Sequence, residues 1–176
     1  MGSLLVVTGP PGAGKSTVAR ILAHRYESSV LIDGDSFFAF LARGAVPPWL
    51  PESMVQNEIV TQAAAAAAGR YAAGGYVTVY DGVVGPWFLE TFTAATGLAR
   101  LNYLVLLPSV QRCVERVQSR HGHGFTDIGA ARTMHGEFAH AVVEHRHVLI
   151  DPPDEPEEAA DLAVAALSGG VLGYPA

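Results

Sequence analysis

The stretch Leu4-Leu5-Val6-Val7-Thr8-Gly9-Pro10-Pro11-Gly12-Ala13-Gly14-Lys15-Ser16-Thr17 decides the fold. Leu4 to Thr8 is a run of β-formers without polar alternation. Such a strand is buried on both faces and belongs at the centre of a parallel sheet. Gly9 to Ser16 then fits G-x-x-x-x-G-K-[ST], with a strand before it and a helical pattern after it. The glycines permit positive φ and let backbone N–H groups crowd toward phosphate oxygens. The helix that starts here turns its positive end to the same anion. Lys15 reaches the β- and γ-phosphates, and the Ser16 hydroxyl ligates Mg²⁺. Gly9, Pro10, Pro11, Gly12, Ala13, Gly14, Lys15, Ser16 and Thr17 are therefore expected to hold a nucleotide. Thr17 either lies near the α-phosphate or caps the first turn.

Outward from this loop, strands and helices alternate. Val18, Ile21 and Leu22 carry helical spacing as far as Tyr26. Val30-Leu31-Ile32 is a second strand, closed by Asp33-Gly34-Asp35. Phe37 to Leu41 reads as helix up to Gly44. Pro47-Pro48-Trp49-Leu50-Pro51 is too rich in proline for a regular element. A long helix follows over 52–73, strengthened by the alanine run 63–68. Tyr76 to Tyr80 is a third strand, ending at Asp81-Gly82, and 87–96 is a short helix. Leu101 to Leu107 is the fourth strand, 110–120 a helix, 127–143 another. Val148-Leu149-Ile150 is a fifth strand, 157–167 a last helix, and the tail from Gly169 is expected to be loosely held. The alternation predicts an α/β domain with helices on both faces of a parallel sheet. Residues 1–176 form one domain, with a lid at about 116–135 and no internal repeat.

Composition narrows the classes. The chain has 176 residues, 49% hydrophobic and 16% charged, which argues against disorder. A net charge of −6 argues against a broad basic face for nucleic acid. One cysteine, Cys113, excludes an intramolecular disulfide framework. No 18-residue apolar run and no basic leader are present, so neither a membrane partner nor export is expected, and the location is read as cytoplasmic. An N-K-x-D segment, which GTPases use to read guanine, is absent.

The acids fall where a kinase needs them. Ligands of open parallel sheets bind outside the carboxyl ends of strands, so Asp33, Asp35 and Asp81 should face the phosphate loop. One acid of the Asp33-Gly34-Asp35 turn can serve Mg²⁺, and the other can accept a proton from a substrate hydroxyl. Helix capping is the alternative for either. Asp81 is placed as a Walker B carboxylate near Mg²⁺, or else as a polar turn residue before Gly82.

The order G-x-x-G-x-G-K-S-T, then D-G-D, then an arginine-bearing helix resembles the small-molecule kinases of the P-loop group. These include gluconate kinase, shikimate kinase, adenylylsulfate kinase and chloramphenicol phosphotransferase, and the likeness reaches bacterial ATP-binding kinase-like proteins. The resemblance implies a three-layer P-loop kinase fold with a five-stranded parallel sheet in the order 2-3-1-4-5 and a helical lid. It implies ATP and Mg²⁺ as cofactors and a small-molecule hydroxyl substrate. By the same resemblance Asp35 is the catalytic base, Lys15 and Ser16 are the Walker A pair, and Ser16, Asp33 and Asp81 serve the metal. The segment Arg43 to Trp49 departs from the substrate loop of these families.

Arg112, Arg116 and Arg120 are four apart and form one helical stripe. The resemblance makes Arg116 and Arg120 catalytic lid arginines, closing over phosphates with a fork suited to them, and Arg112 a nucleotide contact. A solvated basic face is the alternative. For the acceptor pocket, Phe37, Trp49 and Trp87 are candidate walls, with Phe40 and Phe88. Arg43 and Asn57, with Gln56, are candidate polar contacts. A mixed apolar pocket of this kind favours an antibiotic-like or nucleoside-like alcohol over a sugar acid. The function expected is ATP-dependent phosphotransfer to a small-molecule hydroxyl. A nucleotide-binding regulatory module or slow NTPase is the alternative.

Overall fold

The computed structural model describes residues 2–119 and 126–175. Strand β1 (Ser3–Thr8) lies between β3 (Val77–Asp81) and β4 (Arg100–Leu107). β2 (Ser29–Asp33) flanks β3, and β5 (Val148–Ile150) flanks β4. All these pairings are parallel, in the order β2-β3-β1-β4-β5. The order of the ladder agrees with the expectation for a P-loop kinase fold.

The number of strands does not. A sixth strand, β6 (Gly173–Pro175), pairs antiparallel with the start of β4, Leu101 facing Tyr174. β5 is short and covers only Val105 to Leu107, so the other half of that edge is left for β6. Unpaired edge groups are costly where they are not solvated, which is why the tail closes on the sheet. The tail is held further by Leu172, fully buried, and by Tyr174 against the rings of Tyr103 and His147.

Strand alternation sorts the core into two layers. Leu5 and Val7 face helices α1 (Lys15–His24) and α7 (Pro156–Ser168), packing with Leu22, Leu104, Ala160 and Ala163. Leu4 and Val6 face α3 (Met54–Ala73) and α4 (Pro86–Thr96), packing with Ala64, Ala68, Phe92 and Tyr103. The alanines of α3 let it approach α4 closely. At Gly69 even a Cβ would overlap the Thr96 carbonyl oxygen. α3 starts at Met54 rather than residue 52, because Pro51 to Ser53 form a 3₁₀ turn first.

Three further helices complete the order. α2 (Asp35–Phe38) is a single turn, ending well before Gly44. α5 (Val110–Ser119) follows β4, and α6 (Ile128–His140) starts at Asp127, whose carboxylate caps the Ala130 N–H at 2.9 Å. Among the described residues no helix is long and apolar enough to cross a membrane.

Candidate active site

The phosphate loop is shaped by its glycines. Gly9, Gly12 and Gly14 have φ of 144°, 81° and 93°, a region that side chains rarely enter. A Cβ on Gly9 would overlap the Leu106 carbonyl oxygen, and one on Gly12 the Cys113 carbonyl oxygen. The loop is thus pressed against β4 and α5 as well as turned. Lys15 Nζ donates to Pro10 O at 3.1 Å, which folds the ammonium back over the loop. No side chain caps the N-terminus of α1. Its first N–H groups stay turned toward the loop, the arrangement that receives an anion.

Register brings the acids together. Asp33 and Asp81 are neighbours across the β2–β3 ladder, and Asp81 is beside Val7 of β1. The Gly34 N–H donates to Asp81 O at 2.8 Å, so the two strand ends are tied. Gly34 is needed for closeness, since a Cβ there would overlap the Tyr80 hydroxyl. Asp81 is buried, and desolvation pushes its carboxyl above the usual range. A hydrogen bond from Ser16 and the charge of Lys15 pull it back down. Burial, aided by the three aspartates, also pushes the Tyr80 hydroxyl up.

Asp33 and Asp35 play different local parts. Asp33 accepts from the Asp35 N–H at 3.0 Å and from Ser36 Oγ at 2.8 Å. It is Asp33, not Asp35, that caps the turn of α2. Asp35 opens onto the cleft.

That cleft has a volume of about 1100 Å³. Lys15 and Ser16 line it beside Asp81, and Asp35, Trp49, Asn57 and Trp87 line it as well. Phe37 and Arg43 do not line it. On a one-turn helix Phe37 is rotated about 200° from Asp35, whereas Phe38, three residues on, shares its face. Phe38 accordingly lines the cleft, while Phe37 packs on the core and meets Phe40 edge-on at 5.3 Å. Gln56 holds the loop before α3, accepting from the Val46 N–H at 2.8 Å and donating to Val46 O at 2.7 Å. Asn57 Nδ2 donates to Pro48 O at 2.7 Å and to Ser53 Oγ at 2.9 Å. The wall supplied by α6, namely Ala130, Thr133, Met134, Glu137 and His140, escaped sequence reading. Its three-and-four spacing was the available signal.

A smaller cavity of about 260 Å³ lies behind the loop, lined by Gly14, Thr17, Arg116, Pro152, Pro153 and Asp154. Arg116 Nη1 donates to Gly12 O at 3.4 Å, and Nη2 is 3.5 Å from Asp154 Oδ1. Arg112 donates to Pro152 O at 3.1 Å and pairs with Asp154. Arg120 and the lid through residue 125 lie outside the described residues.

Comparison with known proteins agrees with this fold. A family model described as an AAA domain matches residues 4–144. The chain belongs to that family, and its fold is that of the P-loop small-molecule kinase group. A sugar kinase from Janibacter sp. HTCC2649 superposes with a TM-score of 0.71 at 19% identity, over 96% of this chain and 95% of that one. The Deinococcus radiodurans tunicamycin resistance protein gives 0.70 at 15% identity, over 95% and 96%. The Mycobacterium tuberculosis APS kinase CysC, in complex with AMPPNP and APS, gives 0.64 at 18% identity, over 95% and 98%. None of the curated proteins compared matches the chain.

Proposed function

We propose that this protein is an ATP-dependent phosphotransferase that moves the γ-phosphate to a hydroxyl of a small molecule. The observation that carries this reading is the continuity of the cleft. One space of about 1100 Å³ reaches from Lys15 and Ser16 to Asp35 and an aromatic wall. A module that only hydrolysed or sensed nucleotide would need no second compartment. The APS kinase neighbour, which holds AMPPNP and APS together, supports a cleft of this shape serving two ligands.

The roles follow from position. The phosphate-loop N–H groups and Lys15 bind the phosphates. Ser16 and the buried Asp81 carboxylate suit Mg²⁺, because a hard cation takes oxygen ligands and would relieve the desolvated charge of Asp81. Mg²⁺ there supplies neutralisation of phosphate charge. Asp33, with both oxygens engaged in the turn, holds Asp35 in place. Asp35 accepts the acceptor's hydroxyl proton as the new O–P bond forms and the bond to the departing ADP oxygen breaks. Arg116, beside Gly12, offsets negative charge at the loop, with Arg120 joining it from the lid. Arg112 fixes the 152–154 turn, and the smaller cavity there takes the nucleoside end.

The test is ADP release from Mg·ATP with a panel of neutral, cationic and anionic alcohols. Acceptor-stimulated release with a phosphorylated product is expected. Asp35→Asn should slow transfer by about 10²–10⁴-fold while nucleotide affinity holds. One slow rate of ADP release whatever is added would sink this reading and leave a slow NTPase or regulatory module.

A further inference from the structure

Charge is unevenly distributed along the cleft, and the scheme above makes no use of this. The acceptor end is walled by Trp49, Leu50, Met54, Trp87 and Met134. Its carboxylates are Asp35 and Glu137, and His140, one turn beyond Glu137 on α6, also lines it with Nδ1 2.7 Å from Gly136 O. Among the described lining residues, Lys15 is the one lysine or arginine, and it sits at the phosphate end. Glu137, three residues after Met134 on α6, is exposed in the cleft and makes no hydrogen bond or ion pair with the described residues. Asn57 turns its amide nitrogen to Pro48 O and Ser53 Oγ, which leaves its buried Oδ1 without a donor. The carboxylates at this end therefore call for donors on the ligand, and an anionic ligand would meet like charge there.

We propose that the acceptor is an apolar, ring-bearing amino alcohol whose ammonium is bound by Glu137. Glu137 is then the residue that selects against alcohols carrying a carboxylate or phosphate. The inference rests on the phosphotransferase reading only in calling the ligand an acceptor. Its physical basis is simple. Unlike charges about 5–6 Å apart in a half-wet cleft change affinity by about tenfold, and like charges by a similar factor in the other direction. The aromatic wall buries the ring, which binds any of these ligands without regard to charge.

The chain has two tryptophans, and both Trp49 and Trp87 line this cleft. Intrinsic fluorescence thus reads ligand binding without turnover. The protein, saturated with Mg²⁺ and a non-hydrolysable ATP analogue to keep carboxylates off Lys15, is titrated with phenylalaninol, N-acetylphenylalaninol and phenyllactate. Phenylalaninol should bind about tenfold tighter than its N-acetyl derivative and about a hundredfold tighter than phenyllactate. In Glu137→Gln the amine and its N-acetyl derivative should come within about twofold, with nucleotide affinity intact. Equal or tighter binding of phenyllactate, an unchanged amine preference in the variant, or no saturable change with any of the three would overturn the proposal. A parallel assay of phosphate transfer from Mg·ATP, with a wider set of aryl amino alcohols and hydroxy acids, separates the two ideas. Preference for the amine without transfer to any alcohol defeats the phosphotransferase reading and keeps the charge selection. Transfer to hydroxy acids as readily as to amino alcohols does the reverse.

Discussion

The two ends of the cleft are built by different means. Apart from Asp81, the phosphate end comes from nine consecutive residues, and their geometry is set by backbone. Glycine φ values, carbonyl contacts and the start of α1 decide it. The end proposed for the acceptor gathers side chains from α2, the loop before α3, the start of α4, and α6. The loop before α3 is tied down largely by side-chain amides and a hydroxyl reaching backbone carbonyls. Phosphate is the same anion in every nucleotide, so a locally coded backbone cradle suffices. An acceptor has its own shape and charge, and only side chains from several elements can match it.

The sharpest way to break this comparison is Gly12→Ala. The position requires positive φ, which a Cβ disfavours, and the new Cβ overlaps the Cys113 carbonyl. A loss of about 3 kcal/mol or more, seen as a lower urea midpoint, is expected together with lost binding of an ATP analogue. If the variant binds nucleotide normally, the phosphate end is not fixed by backbone at all.

At the other end, Gln56→Ala removes two hydrogen bonds to Val46, worth about 1–2 kcal/mol locally. Limited proteolysis of residues 39–50 should accelerate, while affinity for the ATP analogue stays within about twofold. Unchanged proteolysis would mean that the acceptor wall does not depend on that amide.

Asp81 sharpens the phosphate side. Its carboxyl is raised above the usual 3.8, so the folded chain holds that proton more tightly than the unfolded chain. Without Mg²⁺, stability should therefore fall as pH rises from about 4 through the raised value. Asp81→Asn should remove that decline and raise Tm at neutral pH by about 2–4 °C, and should also remove stabilisation by Mg²⁺. A Tm profile from pH 4 to 7, with and without Mg²⁺, checks all three.

The smallest effect lies away from the cleft. His147 is buried with Nδ1 3.0 Å from Tyr103 O, and desolvation lowers its pKa below the usual 6.5. The neutral ring thus contributes stability that is present above about 6.5 and lost as pH falls through the lowered value. Tm should drop by about 1–3 °C between pH 6.5 and 5, and less in His147→Gln. Profiles that coincide would exclude His147 as the group responsible.

Much of this was legible from local pattern. The strand before Gly9, the glycine spacing and the helix after it specify the phosphate loop. The acids at the ends of β2 and β3 were legible for the same reason, since strand ends are marked by where the apolar run stops. Phe37 and Phe38 show the limit. Both are apolar and adjacent, and only the one-turn length of α2 decides which shares a face with Asp35. Arg112 shows another limit, because its carbonyl partner, Pro152, is forty residues away. Glu137 and its neighbours on α6 carried helical spacing, but spacing tells which residues share a face and not what that face meets.

The sequence by itself determined the order of β1 to β5 and their helices, the phosphate loop, and the three carboxylates at or just beyond the carboxyl ends of β2 and β3. These depend on φ preferences, apolar periodicity and residues a few positions apart, all local quantities. The closure of the tail on β4, the different hydrogen bonding of Asp33 and Asp35, and the aromatic and acidic lining of the cleft were decided by tertiary structure. Each depends on which distant groups come within a few ångströms of one another, and that is fixed only when the sheet and its helices are packed together.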